Sequence, residues 1–361
     1  MARHPDGRPG RGGMSPPWRI AVVGAGLIGR RHVALARSFG WLAAIVDPNE
    51  ATAELAEQTG AAWYSGLDGL LNDARLDGVI LATPNRLHAD QALACIGHGL
   101  PVLIEKPIAD TVENAAAVVA AASTADVPVL VGHHRRHNPL IGVARHAIDD
   151  GRIGRPTIVN AQFWLYKPDA YFRESWRSQQ GAGPVFINLI HDIDLLRHLV
   201  GEIVEVDAWQ SNAVRGFDVE DTAAILLRFA NGALGTVTVS DTVVAPWSWE
   251  FASGENPAYP HTDVPSIAIG GTHGSLSVPD LRLWSHPGER SWWNPIESER
   301  LRFEPADPLL RQMAHFGEVI GGRANPLVPA DEGLATLACV EAIKRSAETG
   351  KSRTVRTRSV S

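Results

Sequence analysis

The chain has 361 residues, enough for about two domains. Its 45% hydrophobic content supports sizeable cores, and a formal net charge of −7 argues against nucleic acid as a partner. No apolar run approaches the ~18 residues of a membrane span.

Residues 1–17, rich in Arg, Gly and Pro, lack the apolar stretch of a secretory signal and read as a disordered tail, with Met14 a second candidate start. From Trp18 to His137 short apolar strands alternate with helices. Arg19 to Val23 is the first strand, Leu27 to Phe39 a helix, and Leu42 to Val46 the second strand, ending at Asp47. Helix Ala51–Gln58, strand Ala62–Tyr64, strand Gly78–Ala82, helix His88–His98, strand Val102–Ile104, helix Val112–Ser123 and strand Val129–Val131 follow. Near-continuous apolar strands joined by helices indicate a doubly wound parallel sheet, which takes ligands beyond its C-terminal strand ends. Those ends carry Gly24, Asp47, Thr83-Pro84-Asn85, Glu105-Lys106-Pro107 and His133-His134.

The first of these ends reads Gly24-Ala-Gly26-Leu27-Ile28-Gly29. Gly24 permits the tight turn, Gly26 lets backbone approach a pyrophosphate, and Gly29 lets the helix pack closely. The helix start offers open N–H groups and a partial positive charge to phosphates. Asp47 stands at the spacing expected for the acid that accepts from adenosine ribose hydroxyls, and no Arg or Lys in residues 48–59 compensates a 2′-phosphate. The segment 18–137 is therefore expected to be an NAD-binding Rossmann domain. Cys95 and Cys339 sit apart in apolar helical patterns without metal-ligand or disulfide spacing, as in a reducing, cytoplasmic setting.

After Asn138 the pattern changes. Helix Pro139–Asp150 leads to strand Thr157–Leu165, a polar and aromatic loop from Tyr166 to Gln180, and a helix carrying Leu189, Ile190, Ile193, Leu195, Leu196 and Leu199. Alternating runs follow over residues 204–211, 222–229, 233–240, 266–269, 275–278 and 281–284, with hairpin signals such as Asn231-Gly232. Residues 138–361 are thus expected to form an α+β domain with an open, mainly antiparallel sheet. A last helix, 332–348, ends at a capping Gly350 and is expected to pack back on the first domain.

These features together resemble the Gfo/Idh/MocA family of oxidoreductases over nearly all of residues 18–355. The resemblance is carried by the glycine turn, Thr83-Pro84-Asn85 with His88, Glu105-Lys106-Pro107, and Arg135-Arg136 before Asn138-Pro139. Further on it is carried by Trp176-Arg177, Gly181-Ala-Gly183, His191 with Asp194, and Glu220-Asp221-Thr222. It implies an NAD(P)-dependent dehydrogenase of sugars, cyclitols and related cyclic alcohols, with a sheet face that forms dimers or tetramers. Carried over residue by residue, it implies cofactor contacts from Gly24, Gly26, Leu27, Ile28, Gly29, Asp47, Thr83, Pro84, Asn85, His88, Glu105, Lys106, His133 and Arg177. The implied substrate contacts are Lys106, His191, Asn188, Arg177 and Tyr166. One departure stands out: the family's usual acid four residues before the histidine falls on Ile187, beside Asn188. Asn188 either replaces that acid as a neutral partner or caps the helix.

A lysine at a strand end, partly desolvated, can hold the proton of a reacting hydroxyl or stabilise the alkoxide that develops. His191 can pass that proton on at neutral pH. Asn188, His191 and Asp194 share a helix face, and Asp194 either orients the imidazole or is an ordinary surface acid. His133, His134 and His137 lack the acid or cysteine that would complete a metal set, so no metal is expected. Trp164, Trp176, Trp247, Trp249, Trp292 and Trp293 either line the pocket or serve core and interface. The loop Tyr166–Arg173 places two cations beside aromatics, which suits a carboxylated substrate or a solvated loop equally. The alternatives to a polyol dehydrogenase are a dehydrogenase of a carboxylated cyclic cis-dihydrodiol and a non-catalytic NAD-binding regulator.

Overall fold

A computed structural model describes residues 18–179 and 181–356. The expected tail 1–17 lies outside the described residues.

Six strands form the first sheet: β1 (Ile20–Val23), β2 (Leu42–Val46), β3 (Ala62–Tyr64), β4 (Gly78–Leu81), β5 (Val102–Ile104) and β6 (Val129–Val131). Their order is β3-β2-β1-β4-β5-β6, and all pairs are parallel. Every residue of β1, β4, β5 and β6 is buried, which is why these strands read as unbroken apolar runs. From β1 the chain winds outward through β2 and β3, then returns to β4 on the other side. The strand order thus reverses between β1 and β4, and the crevice there opens between Gly24 and Thr83.

The second sheet has nine strands: β7 (Pro156–Trp164), β8 (Ile203–Ser211), β9 (Thr222–Phe229), β10 (Leu234–Ser240), β11 (Ile267–Gly271), β12 (Gly274–Val278), β13 (Arg282–Ser285), β14 (Glu297–Arg300) and β15 (Arg353–Thr354). The order is β14-β13-β12-β11-β7-β10-β9-β8-β15. Only the central β7–β10 pair is parallel among the described residues, so the sheet is mixed but mainly antiparallel, as its alternating pattern predicts. In β9, Ala223, Ile225, Leu227 and Phe229 are buried while Ala224, Leu226 and Arg228 face out. The inward face packs on the helix Leu189–Val200, of which only His198 is not fully buried. The outward face carries Ile158, Trp209, Leu226 and Leu234, all exposed.

The two cores meet along C-terminal helices. The helix Ala330–Thr349 lies against both the first-domain helix Val112–Ala125 and the second-domain strand β8. A Cβ at Gly333 would meet Val131 Cγ2 at 2.7 Å, so the crossing is close. The helix Pro308–Ile320, for which the sequence reading had no element, puts Met313 and Phe316 into the first core. It starts at Asp307, whose Oδ1 accepts from the N–H groups of Leu309 and Leu310. Side chains from Met313 to Ala338 therefore help build the first core, although they follow most of the second sheet in sequence.

Candidate active site

The nucleotide side is built from backbone. Gly24 has φ +90°, and a Cβ there would lie 2.6 Å from Ala82 O; one at Gly29 would lie 1.9 Å from Gly24 O. Both positions need glycine because neighbouring backbone occupies the space. A Cβ at Gly26 would meet nothing, so this residue faces an open cradle. Arg30 N–H closes the first helical turn onto Gly26 O at 2.9 Å, and the N–H groups ahead of it have no helical partner. Leu27, 94% exposed, and the half-buried Ile28 lie at this mouth. The cradle fits a dinucleotide pyrophosphate.

Asp47 lies beside this turn. Its Oδ2 accepts from Ala25 N–H at 2.7 Å and its Oδ1 from Asn49 N–H at 2.9 Å, and free lone pairs remain for a ribose diol. Thr83, Pro84 and Asn85 follow β4 across the crevice, with Thr83 Oγ1 donating to Gln91 Oε1 at 2.7 Å. His88 is a correction to its expected cofactor contact. It is fully buried, and its ring nitrogens lie 2.8 Å from the carbonyls of Pro107 and Thr83. It ties the loop after β4 to the loop after β5 and presents no edge to a ligand.

Glu105 is also spent inside the protein. Its Oε1 is 2.7 Å from His32 Nε2, and its Oε2 accepts from Lys106 N–H at 3.2 Å. Burial would raise this carboxyl, but the His32 hydrogen bond and charge bring it below its ordinary value. Lys106, partly buried ahead of a cis Pro107, reaches across to the second domain, where its Nζ donates to Ile187 O at 3.1 Å. Burial depresses its pKa and outweighs the support of Glu105; Arg135 and Lys167 depress it further. The position where the family has an acid thus supplies its main-chain carbonyl instead.

His191 stands one helical turn further on, 8% exposed, with Nδ1 buried and without a partner. Its ring centroid is 5.2 Å from that of His134 and 6.1 Å from that of His133, both edge-on. Burial and the neighbouring Lys106 and Arg135 charges hold its pKa well below the ordinary value, so the ring is neutral. His133, buried beside it, is lowered to about 4 for the same first reason. His134 pairs with Glu255 at 2.9 Å, and His137 packs 5.3 Å from His315.

Asp194 neither orients His191 nor sits on a surface. It is 1% exposed and accepts from Arg136 Nε and Nη2 at 2.9 and 2.7 Å. Arg136 also holds Glu332 at 2.7 Å, and Arg197 Nη1 holds Thr336 Oγ1 at 2.8 Å. This network joins the helix Leu189–Val200 to the C-terminal helix. Asn188 does not cap its helix: its Oδ1 accepts from Lys167 Nζ at 2.8 Å.

Arg177 Nη1 donates to Tyr171 O at 2.8 Å, and its guanidinium lies 4.2 Å from the Tyr171 ring centroid. Tyr166 is 47% exposed, with the Arg215 guanidinium 5.8 Å from its ring. These contacts fold the loop on itself.

Sequence reasoning missed three residues here. Lys167 was noted only as a loop cation, and it is 6% exposed. Asp192 is buried 3.3 Å from Arg135 and pushed up to about 6 by burial. Arg135 also holds Glu250 at 3.1 Å and stacks 5.0 Å above Trp249. No periodicity marks such partners, since they meet only across the fold.

A glycine cradle at a parallel-sheet switch point, an acid beside it, and a buried lysine facing a second domain define a nucleotide-dependent oxidoreductase. The chain belongs to the GFO/IDH/MocA family. Residues 18–133 match its model described as "Oxidoreductase family, NAD-binding Rossmann fold", and residues 142–277 match its C-terminal domain model. The chain is 28% identical over 348 residues to 1,5-anhydro-D-fructose reductase of Ensifer adhaerens, covering 94% of this chain and 99% of that protein. It is 35% identical over 234 residues to inositol 2-dehydrogenase 2 of Saccharopolyspora erythraea, which covers 61% and 66% of the two chains. Among solved structures it is similar to the WlbA dehydrogenase of Bordetella pertussis in complex with NADH and UDP-GlcNAcA. That match has a TM-score of 0.75 and 27% identity over 94% of this chain and 99% of the other. The protein is an NAD-dependent oxidoreductase.

Proposed function

We propose that the protein transfers hydride between NAD and a secondary hydroxyl, or the matching ketone, of a sugar, cyclitol or related cyclic polyol. The observation that carries this reading is Lys106: its ammonium crosses from the nucleotide domain to Ile187 O in the second domain, beside a neutral, buried His191. NAD, when bound, accepts the hydride in oxidation and returns it in reduction. Gly24 to Gly29 would hold its phosphates and Asp47 its ribose. Lys106, with its pKa depressed, takes the hydroxyl proton as amine in one direction and gives it back as ammonium in the other. His191 Nδ1, without a protein partner, is free to relay that proton. Relatives named as an anhydrofructose reductase, inositol dehydrogenases and a levoglucosan dehydrogenase support the substrate class.

The reading extends to assembly and compartment. A second copy covers the open sheet face, because Ile158, Trp209, Leu226 and Leu234 would otherwise stand exposed on it. The result is a homodimer or homotetramer. Cys95 and Cys339 are free and buried, as in a cytoplasmic protein, and among the described residues no helix is long and apolar enough to cross a membrane.

The test is reduced-nicotinamide absorbance with a panel of polyols, aldoses, inositols and dihydrodiols, run on wild type and Lys106→Ala. Turnover should fall by roughly two to four orders of magnitude in the variant, the range for a positioned proton-transfer group, while NAD affinity changes little. A variant turning over within about threefold of wild type defeats the mechanism. Tight NAD binding with no turnover of any panel member supports the non-catalytic binder instead.

A further inference from the structure

Two ammonium groups, a partly buried one and a buried one, converge on a single turn of this protein. Lys106 donates to the carbonyl of Ile187, and Lys167 donates to Oδ1 of Asn188, the next residue. They arrive from opposite sides. Lys106 leaves the end of β5 in the nucleotide domain, while Lys167 follows β7, where its N–H is pinned to Asp241 O at 2.9 Å. Both acceptors on the turn are neutral.

Lys167 has no carboxylate to itself. The nearest acid is Asp241, 2% exposed, with Oδ2 at 3.5 Å from Lys167 Nζ. That carboxylate already serves Arg215, whose Nε donates to Oδ1 at 2.9 Å. Arg215 is itself locked by donating to the carbonyls of Lys167 and Asp241 at 2.7 and 2.6 Å. Its further acid, Asp169, is 3.6 Å away and 94% exposed at its side chain, so water screens it. Two buried cations therefore share the Asp241 carboxylate; the other buried acid beside Arg215, Asp221, is taken up by the N–H groups of Val214 and Arg215 and by Thr222 Oγ1. The other acids nearby, Asp192 and Glu250, are held by Arg135 at 3.3 and 3.1 Å. The remaining contacts of Lys167 are Asn188 and the face of Tyr171, 5.0 Å from Nζ. A buried ammonium that divides its carboxylate with a second cation is the place in this cluster where a further anionic group gains most.

We propose that Lys167 is the anchor for a carboxylate on the substrate, so that the pocket selects polyhydroxy acids, such as sugar acids or carboxylated cyclitols, over the neutral polyols of the same shape. The proposal rests on the dehydrogenase reading above and refines its substrate class. The reacting hydroxyl takes the place of Ile187 O on Lys106. A carboxylate on the same molecule then lies beside Asn188 and takes up the Lys167 ammonium. Asn188 matters because it is neutral. An acid at that position would pair with Lys167 and cancel the charge that the substrate is to meet. The side chain of Lys167 also needs its length, since Tyr171 and Asn188 together fix the ammonium.

The test uses matched pairs of probes: D-glucuronate with D-glucose, and D-galacturonate with D-galactose. Dissociation constants are measured on the NADH-loaded enzyme by quenching of nicotinamide fluorescence, and turnover is followed separately with NAD. Wild type should bind the acid of at least one pair more than tenfold tighter than its neutral partner. Lys167→Met, which keeps length and removes charge, should bring that ratio to within about threefold of one. Asn188→Asp should do the same by pairing with Lys167, and it serves as the second variant should the methionine protein not fold. Equal binding of acid and neutral partner by wild type overturns the proposal, as does a preference that survives both substitutions. An acid preference without turnover of any probe keeps the anchor and removes the dehydrogenase reading, so the two stand or fall separately.

Discussion

The two sheets solve opposite problems. The six-stranded sheet is covered on both faces, so its strands are uniformly apolar and its ligand surface is confined to the loops at one edge. The nine-stranded sheet is covered on one face only, so its strands alternate and its other face stays bare, with Ile158, Trp209, Leu226 and Leu234 set among polar residues such as Asn160, Thr236 and Arg228. The first sheet presents main-chain groups to its ligand: glycine backbone, open helix N–H groups and one carboxylate. The second contributes side chains that meet only after folding, such as Lys167, Asn188 and Arg215. The nucleotide half is thus written in local chemistry, and the substrate half in long-range pairing.

That contrast can be broken most severely at the bare face. Leu226 and Leu234 lie close together on it, and Leu226→Arg would set like charges against each other across a two-fold contact. Like-charge juxtaposition costs several kcal/mol, so the assembly should weaken by roughly a thousandfold, read as monomers by sedimentation at micromolar concentration. An unchanged oligomer would mean that the subunits meet elsewhere. In the nucleotide half, Asp47→Ser keeps an acceptor for Ala25 N–H and removes the charge that opposes a 2′-phosphate. The preference of NAD over NADP should shrink by roughly ten- to a hundredfold in equilibrium titrations. If wild type already binds NADP as well as NAD, Asp47 has no part in the choice.

A third effect lies at the seam between the halves. His133 is lowered to about 4, His198 to about 4 and His137 to about 3, each through burial first. An unfolded histidine titrates near 6.5, so below that pH the unfolded chain binds more protons than the folded one. Stability therefore falls as pH drops, by up to about 1.4 kcal/mol per pH unit for each histidine. Asp192, raised to about 6, works the other way and offsets one of the three below that pH. The urea midpoint should decline between pH 6.5 and 5, and a flat profile over that range would show that these rings are not held neutral.

How much of this was legible follows the same division. The strands β1 to β6 could be placed within a residue or two because burial on both faces leaves an unbroken apolar signature. Gly24, Gly26, Gly29 and Asp47 were readable because the cradle is made within one stretch of chain. Asp194 was not, because its partners Arg136 and Thr336 come from a distant turn and the last helix. His88 reads as the first residue of a helix, with a cofactor contact implied by the resemblance, and only the fold shows both ring nitrogens turned to backbone carbonyls. The helix Pro308–Ile320 did leave a trace in Asp307-Pro308 and the spacing of Leu309, Met313 and Phe316. It was lost among the short strands before it.

The acceptor for Lys106 is a main-chain oxygen, and every amino acid carries one. No single codon change at position 187 can delete it; a substitution there acts only by moving the turn. The side chain at that position is therefore released from the reaction, and selection can spend it on packing. Asn188 enjoys no such freedom, since its oxygen belongs to the side chain and goes when the residue goes. Of two neighbouring letters in this sequence, one is chemically redundant to the lysine it serves and the other must bring a side-chain acceptor. Divergence among descendants of this chain should accordingly accumulate at 187 long before it reaches 188.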